Sequence, residues 1–455
     1  MHTSRTASRA LSCLSRPHLR DQSCAAPLLA TCSTARWKSR KIPSLTPLVS
    51  SSRSYSQDIE KKKEIPPFAF AFDIDGVLLH VAKPIPGATQ TLRYLQEREI
   101  PFIFLTNGGG KHEEERVAGL SEALGVELTT DNFVQSHTPF KQLVHGNWES
   151  QPDAMQLKFP HGLADHNILV TGSDPEKCRR IAEAYGFRKV ITPADILVAN
   201  PTVFPFDPLR MEYYQSTARP LPNPNPKIEA IFVFNDPRDW ALDIQIIIDL
   251  LLAKNGVLGT YSARNKNRAT SDRDGQPRLY FSNPDMFWSA NYHLPRLGQG
   301  AFERAIFGIW HKITRGSTGP LRTIIGKPYS RTYQYADQVL LSSRAKMFGI
   351  DREKEDQKKG GSAHLRRVYM VGDNPASDIA GANAHRKTNP DARWHSILVK
   401  TGVWDKERDG LPHSSEHPDV IVEDVQQALD WALNEEKLLQ RKLGDKYWRQ
   451  VPDEA

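Results

Sequence analysis

After residue 56 the chain contains one cysteine, Cys178. One thiol makes neither an internal disulfide nor a zinc cluster, so Cys178 is expected in a core. Long apolar runs are lacking too. None approaches 18 residues, and the best, Ile244 to Ala253, carries Asp249 inside it, so no membrane span is expected. Acids are almost missing from the first 56 residues. There Arg5, Arg9, Arg16, Arg20, Arg36, Lys38, Arg40, Lys41 and Arg53 face Asp21 alone, a net charge of +8. The whole chain carries +7, so the remainder is −1. The basic character belongs to a tail, and the rest offers no compositional case for nucleic acid as a partner.

That tail is rich in Ser, Ala and Arg and has no long apolar centre. This is the composition of a mitochondrial transit peptide, the alternative being a disordered basic arm. Arg53-Ser-Tyr-Ser resembles a matrix-protease site and puts the mature start near Ser54 to Ser56. Residues 1–56 are therefore read as the transit segment, and the expected compartment is the mitochondrial matrix. With 455 residues, 39% hydrophobic and 25% charged, the chain has room for two or three ordinary domains.

The most informative stretch is Phe68-Ala-Phe-Ala-Phe-Asp73-Ile-Asp75-Gly76. It reads as a strand buried on both faces that stops in two acids and a glycine. Burying a carboxylate is costly unless it is paired or binds a metal, and in a parallel sheet such strand ends open onto the ligand crevice. A strand cap and an Asp-Gly turn is the plain alternative. A helical pattern over Gly87 to Arg98 and a second buried strand, Pro101 to Leu105, complete a crossover unit and argue for a parallel sheet. That strand ends in Thr106-Asn107-Gly108-Gly109-Gly110, whose amides suit an anion or form a flexible turn.

From His137 to about residue 315 the texture changes. Ile168 to Thr171, Lys189 to Thr192 and Ile228 to Phe234 read as strands, alternating with helices over Pro175 to Tyr185 and Asp239 to Lys254. Asn200 to Lys227 holds seven prolines and is expected to be an irregular loop. This is a second α/β layer inserted into the first. Asn283-Pro-Asp285 and Gly298-Gln-Gly300-Ala follow, with a helix from Ala301 to Ile313. The first layer resumes near Ile324-Ile325-Gly326-Lys327-Pro328, followed by a helix from Thr332 to Phe348. Asp351 to Arg367 reads as a disordered charged insertion. The strand Val368 to Val371 then runs into Gly372-Asp373-Asn374-Pro375-Ala376-Ser377-Asp378, and a last strand covers Ser396 to Lys400. A helix from Val422 to about Leu443 ends the fold. No internal repeat is apparent.

Strand ends thus present Asp73 with Asp75, Thr106, Lys327, and Asp373 with Asp378. Phosphoryl transfer needs such a set: a carboxylate nucleophile, an acid for the leaving group, a cation beside the phosphoryl oxygens and oxygen ligands for Mg²⁺. Gly326-Lys327-Pro328 has the alternative of a plain turn, and Asp378 that of a helix cap. Asp236 and Asp239 read as caps of the helix that follows. His137, His161 and His166 form no recognisable ligand set. Asn283 and Asp285 either meet substrate or make a turn.

The ordered quartet Asp-x-Asp-Gly, Thr-Asn, Gly-Lys-Pro and Gly-Asp-x-x-x-x-Asp resembles the haloacid dehalogenase superfamily, in its class IIA branch and most nearly a mitochondrial subgroup of it. The resemblance runs from residue 68 to about 405. It implies a Rossmann-like parallel-sheet core, residues 65–137 and 316–445, with an inserted α/β cap domain of the C2 type at 138–315. It also implies a Mg²⁺-dependent phosphatase acting on a small phosphorylated metabolite. Asp73 would be the nucleophile that forms an aspartyl-phosphate, and Asp75 the acid and then the base. Thr106, Asn107, Gly108 and Lys327 would meet the phosphoryl group. Asp73, the Asp75 carbonyl and Asp373 would hold Mg²⁺, with Asp378 acting through water or behind the ligands. Gly108 to Gly110 stand where the branch commonly has Asn and a nearby Ser, which leaves the substrate class open. So are a catalytically silent scaffold, a role in glycerophospholipid metabolism, and a homodimer formed through the cap; dehalogenase chemistry would not need the Lys-plus-Mg²⁺ set.

Overall fold

A computed structural model of the chain describes residues 65–146, 159–206, 211–267, 269, 274–288, 292–316, 319–351, 365–389 and 393–444. The basic tail, with Cys13, Cys24 and Cys32, and most of the charged stretch between Asp351 and Arg367 lie outside the described residues.

Alternation within the first apolar run decides how the first sheet is built. Strand β1 (Phe68–Phe72) is buried along its whole length. Phe68, Phe70 and Phe72 share a cluster with Leu92, Leu95 and Leu429. Ala69 and Ala71 face the other way, where their small side chains admit Tyr333, Ala336 and Leu340 of the helix Ser330–Phe348. A ribbon of β2 (Leu79–His80) and β3 (Lys83–Pro84) leads to the helix Ala88–Glu97, then β4 (Phe102–Leu105), the helix Glu113–Leu124 and β5 (Phe133–Val134).

The chain then builds a second sheet from β6 (Ile168–Thr171), β7 (Val190–Ile191), β8 (Ala230–Val233) and β9 (Arg278–Phe281). A ribbon of β10 (Phe287–Trp288) and β11 (Arg296–Leu297) follows, and β12 (Arg322–Ile324) completes the sheet in the order β12-β9-β8-β6-β7, every pairing parallel. Apolar clusters cover both of its faces, as a parallel sheet requires. The return adds β13 (Arg367–Gly372), β14 (Arg393–Val399) and β15 (Val420–Val422) to the first sheet. Its order is β15-β14-β13-β1-β4-β5, again all parallel. The interruption therefore makes β13 and β4 the neighbours of β1, and the loops after these three strands lie side by side.

Three expectations change. Arg322–Ile324, placed in the returning half, pairs with β9 instead, so the second sheet runs past residue 315 and Lys327 follows one of its strands. The proline-rich stretch from Asn200 to Lys227 contains the helix Met211–Thr217. Its Tyr214 is buried in the second sheet's core and donates to Asp239 Oδ2 at 2.7 Å, an anchor that local proline content conceals. Asp239 caps the helix Trp240–Leu252 by accepting from the Leu242 amide, whereas Asp236 lies before that cap.

Candidate active site

Asp73 is the first residue beyond β1, its amide donating to the Val371 carbonyl at 3.0 Å. Its Oδ1 lies 2.7 Å from Lys327 Nζ. The turn that follows demands glycine twice over. Gly76 has φ 89°, and a Cβ there would stand 2.4 Å from Asp373 Oδ2. Asp75 points elsewhere: its side chain is exposed and sits 3.5 Å from Arg116.

Asp373, at the end of β13, accepts from the Val403 amide at 2.7 Å. Asp378 lies within a single π-type turn, Pro375–Ile379, a feature that recurs at functional sites. Asn374, not Asp378, caps that turn. Asp378 Oδ2 accepts from the Asn374 amide at 3.0 Å, and Oδ1 is 2.7 Å from Lys327 Nζ. One ammonium therefore bridges Asp73 and Asp378.

Thr106 is buried after β4, its hydroxyl oxygen accepting from the Gly108 amide at 3.0 Å. Asn107, expected to meet the phosphoryl group, has protein partners on both ends of its amide. Its nitrogen donates to Asp285 Oδ1 and Oδ2 at 3.2 and 3.1 Å and to the Lys327 carbonyl at 3.0 Å, while its oxygen accepts from the Lys327 amide at 2.7 Å. Asn283 adds a bond to the Asn107 carbonyl at 3.1 Å. Asn107 thus holds the lysine loop and the second layer against the end of β4.

The glycine triplet is tightly packed. Gly110 has φ 90°, and a Cβ there would meet Asn235 Nδ2 at 2.1 Å. Its amide donates to His137 Nε2 at 3.2 Å. That fixes the tautomer: the His137 proton sits on Nδ1, which is 2.7 Å from Tyr185 Oη, and Tyr185 donates to Glu113 Oε1 at 2.7 Å. Burial presses the ring down to about 4. Burial opposes the ionised Glu113, but Lys141, His137 and Tyr185 outweigh it and leave the carboxyl at about 2. His137 belongs to this relay rather than to a metal site. Cys178 is buried, and burial pushes its thiol far up, so it is a core residue as expected.

The electrostatics of the cluster are unbalanced. Asp73, Asp373 and Asp378 bring carboxylate oxygens within 4.8 Å of one another, and Lys327 offsets part of that charge. Burial raises all three: Asp373 goes well up, helped by Asp73 and Asp378, while Lys327 limits the rise of Asp378 to about 6. Lys327 is itself raised, because its two acids overcome its desolvation. Asp285, also desolvated, stands at about 6. An all-oxygen set of buried acids with surplus negative charge suits Mg²⁺. The Asp75 side chain lies apart from it, so any role of Asp75 in holding the ion falls to its carbonyl. Sequence reading missed Arg116, the Val403 amide and Thr401, whose hydroxyl donates to the Gly76 carbonyl at 2.5 Å. Nothing local marks them; only the fold brings them in.

Residues 70–188 match the family model for a haloacid dehalogenase-like hydrolase, and residues 324–428 match a second, HAD-hydrolase-like model. A mitochondrial hydrolase of Saccharomyces cerevisiae is 38% identical over 367 residues, 78% of this chain and 93% of that protein. A cardiolipin synthase (CMP-forming)/mitochondrial hydrolase fusion protein of Schizosaccharomyces pombe is 37% identical over 388 residues, 85% of this chain. The match spans only 56% of the fusion's length. Among solved structures, a hypothetical protein of Pyrococcus horikoshii OT3 aligns with a TM-score of 0.49 and 19% identity, over 80% of this chain and 99% of that one.

Proposed function

The chain belongs to the haloacid dehalogenase-like hydrolases, and from that premise we propose that it is a mitochondrial, Mg²⁺-dependent phosphatase for small phosphomonoesters. The observation that carries this reading is the Asp73 carboxylate, held 2.7 Å from Lys327 beside Asp373 and Asp378. Asp73 attacks phosphorus and the bond to the leaving oxygen breaks, giving an aspartyl-phosphate. Asp75, solvent-facing and outside the buried cluster, supplies the proton to the leaving oxygen. It then takes one from the water that attacks the intermediate, which frees phosphate and restores Asp73. Lys327 orients Asp73 and offsets charge on the equatorial oxygens. Asp73, Asp373, Asp378 and the Asp75 carbonyl would hold Mg²⁺, whose chemistry is charge neutralisation of the transferring group. The second layer, bound to the site through Asp285 and Asn107, would limit water and select substrate.

Phosphate release from a panel of phosphometabolites, measured with Mg²⁺ and with EDTA beside Asp73→Asn, tests this. Mg²⁺-dependent turnover lost in the variant supports it. Turnover retained by Asp73→Asn removes the mechanism, and silence across the panel together with no Mg²⁺ binding favours a silent binding protein.

A second reading places the substrate in glycerophospholipid metabolism. Its support is the fission-yeast relative, whose name joins a cardiolipin synthase to a mitochondrial hydrolase. Glycerol phosphates and phosphatidylglycerophosphate in the same panel test it, and no turnover of any of them removes it.

A further inference from the structure

A two-stranded ribbon is marginal by itself in water, and this chain carries one whose side chains are largely apolar. β10 and β11 pair Phe287 with Leu297 and Trp288 with Arg296, and all four residues are exposed. Met286, Phe287, Trp288, Tyr292, Leu294 and Leu297 are each between 38% and 54% exposed. Clustered exposure of this kind marks a contact surface.

Acids stand at the ribbon's base, Asp285 just before β10 and Asp236 near Gly298 with Arg238 beside it, and both are partly buried. From Met286 to Arg315 the sequence holds four Arg and Lys residues and one acid, Glu303. Glu303 is buried, with Arg322 at 2.7 Å. Arg296, Arg304, Lys312 and Arg315 face solvent. Two guanidinium groups lie against the ribbon's rings, Arg238 at 5.9 Å from the centre of Trp288 and Arg296 at 4.7 Å from that of Tyr292. Rings and aliphatic side chains with cations at their edge fit the boundary between acyl chains and phosphate headgroups. The aliphatic members decide against nucleic acid, because Met286, Leu294 and Leu297 offer no stacking face for a base.

The ribbon is also fixed beside the cleft. It leaves directly after Asp285, which Asn107 holds, and its base is closed by Gly298 donating to the Met286 carbonyl at 2.8 Å and Gly300 to the Asp285 carbonyl at 2.9 Å.

We propose that the β10–β11 ribbon docks the protein on a bilayer surface carrying anionic phospholipid. The proposal stands on the composition and exposure of the ribbon and does not depend on the hydrolytic reading. Co-sedimentation of the full chain with vesicles tests it, using phosphatidylcholine alone and an equal mixture with phosphatidylglycerol. The basic N-terminal tail is common to parent and variants, so the comparison isolates the ribbon. Phe287→Ser with Leu297→Ser should lower partition onto the mixed vesicles by about tenfold or more. Arg238→Gln with Arg296→Gln should lower it by roughly tenfold on the mixed vesicles and little on neutral ones. Circular dichroism checks folding; should the serine pair disturb it, the glutamine pair leaves the apolar residues in place and still decides. Partition equal to the parent's in folded variants overturns the proposal. So does a loss confined to oligonucleotide binding, or a loss confined to self-association in size-exclusion chromatography.

Discussion

The Asn107 side chain donates to both carboxylate oxygens of Asp285, a residue 178 positions later in the chain. The same amide grips the Lys327 backbone through both its nitrogen and its oxygen. A strand end of the first sheet thereby sets the position of Lys327 and of a loop from the second layer. Asn107→Ala should cost about 1–3 kcal/mol by leaving buried groups unpaired. It should also lower kcat by more than the loss of folded protein explains. Thermal melts alongside steady-state phosphate release separate the two effects; unchanged kcat in fully folded variant would remove the positioning role.

Lys327 Nζ stands 2.7 Å from both Asp73 and Asp378. Lys327→Met strands two buried carboxylates, and stability should fall by about 3–5 kcal/mol. Adding Asp378→Asn removes one of them and should recover part of the loss. A double-mutant cycle by urea unfolding checks this, and strictly additive changes would contradict the shared ammonium.

Asp373 is raised by burial and by Asp73 and Asp378. A carboxyl raised in the fold contributes stability while protonated and loses that contribution as pH rises through its folded value. At neutral pH its ionised form is therefore a cost that a divalent cation removes. In EDTA, Asp373→Asn should melt a few degrees above the parent. Mg²⁺ should raise the melting temperature of the parent and leave the variant unmoved. A parent indifferent to Mg²⁺ would count against the ligand set.

His137 is held at about 4 against an ordinary 6.5 by burial. The unfolded chain therefore binds a proton that the folded chain refuses, and this site costs stability as pH falls from 6.5 towards 4. The loss should be on the order of 2–3 kcal/mol across that window. His137→Gln should flatten it, as read from urea midpoints at neutral and acidic pH. Parallel profiles for parent and variant would place the sensitivity elsewhere.

Gly110 faces Asn235 across the two layers at a positive φ. Gly110→Ala should destabilise by about 1–3 kcal/mol, and trimming Asn235 to Ala in the same chain should return only the steric part. Full recovery in the double variant would show that backbone strain is negligible there.

The sequence by itself determined the parallel first sheet and its principal acids. FAFAF alternates Phe and Ala, and it ends in Asp73 because a strand buried on both faces must end where a carboxylate reaches solvent or a partner. The distance from Asp73 to Asp373 along the chain did not hide their partnership, since each acid ends its own apolar run. Tertiary structure alone decided the rest. Ile324 reads locally like any short buried strand, and only pairing with β9 assigned it to the second sheet. The side chain of Asn107 has no local signal of its partners; Asp285 and Lys327 arrive from a different layer. The surplus charge of the buried cluster is likewise a property of the assembled site. Coulomb energy depends on separation and burial, and neither is written in the order of residues.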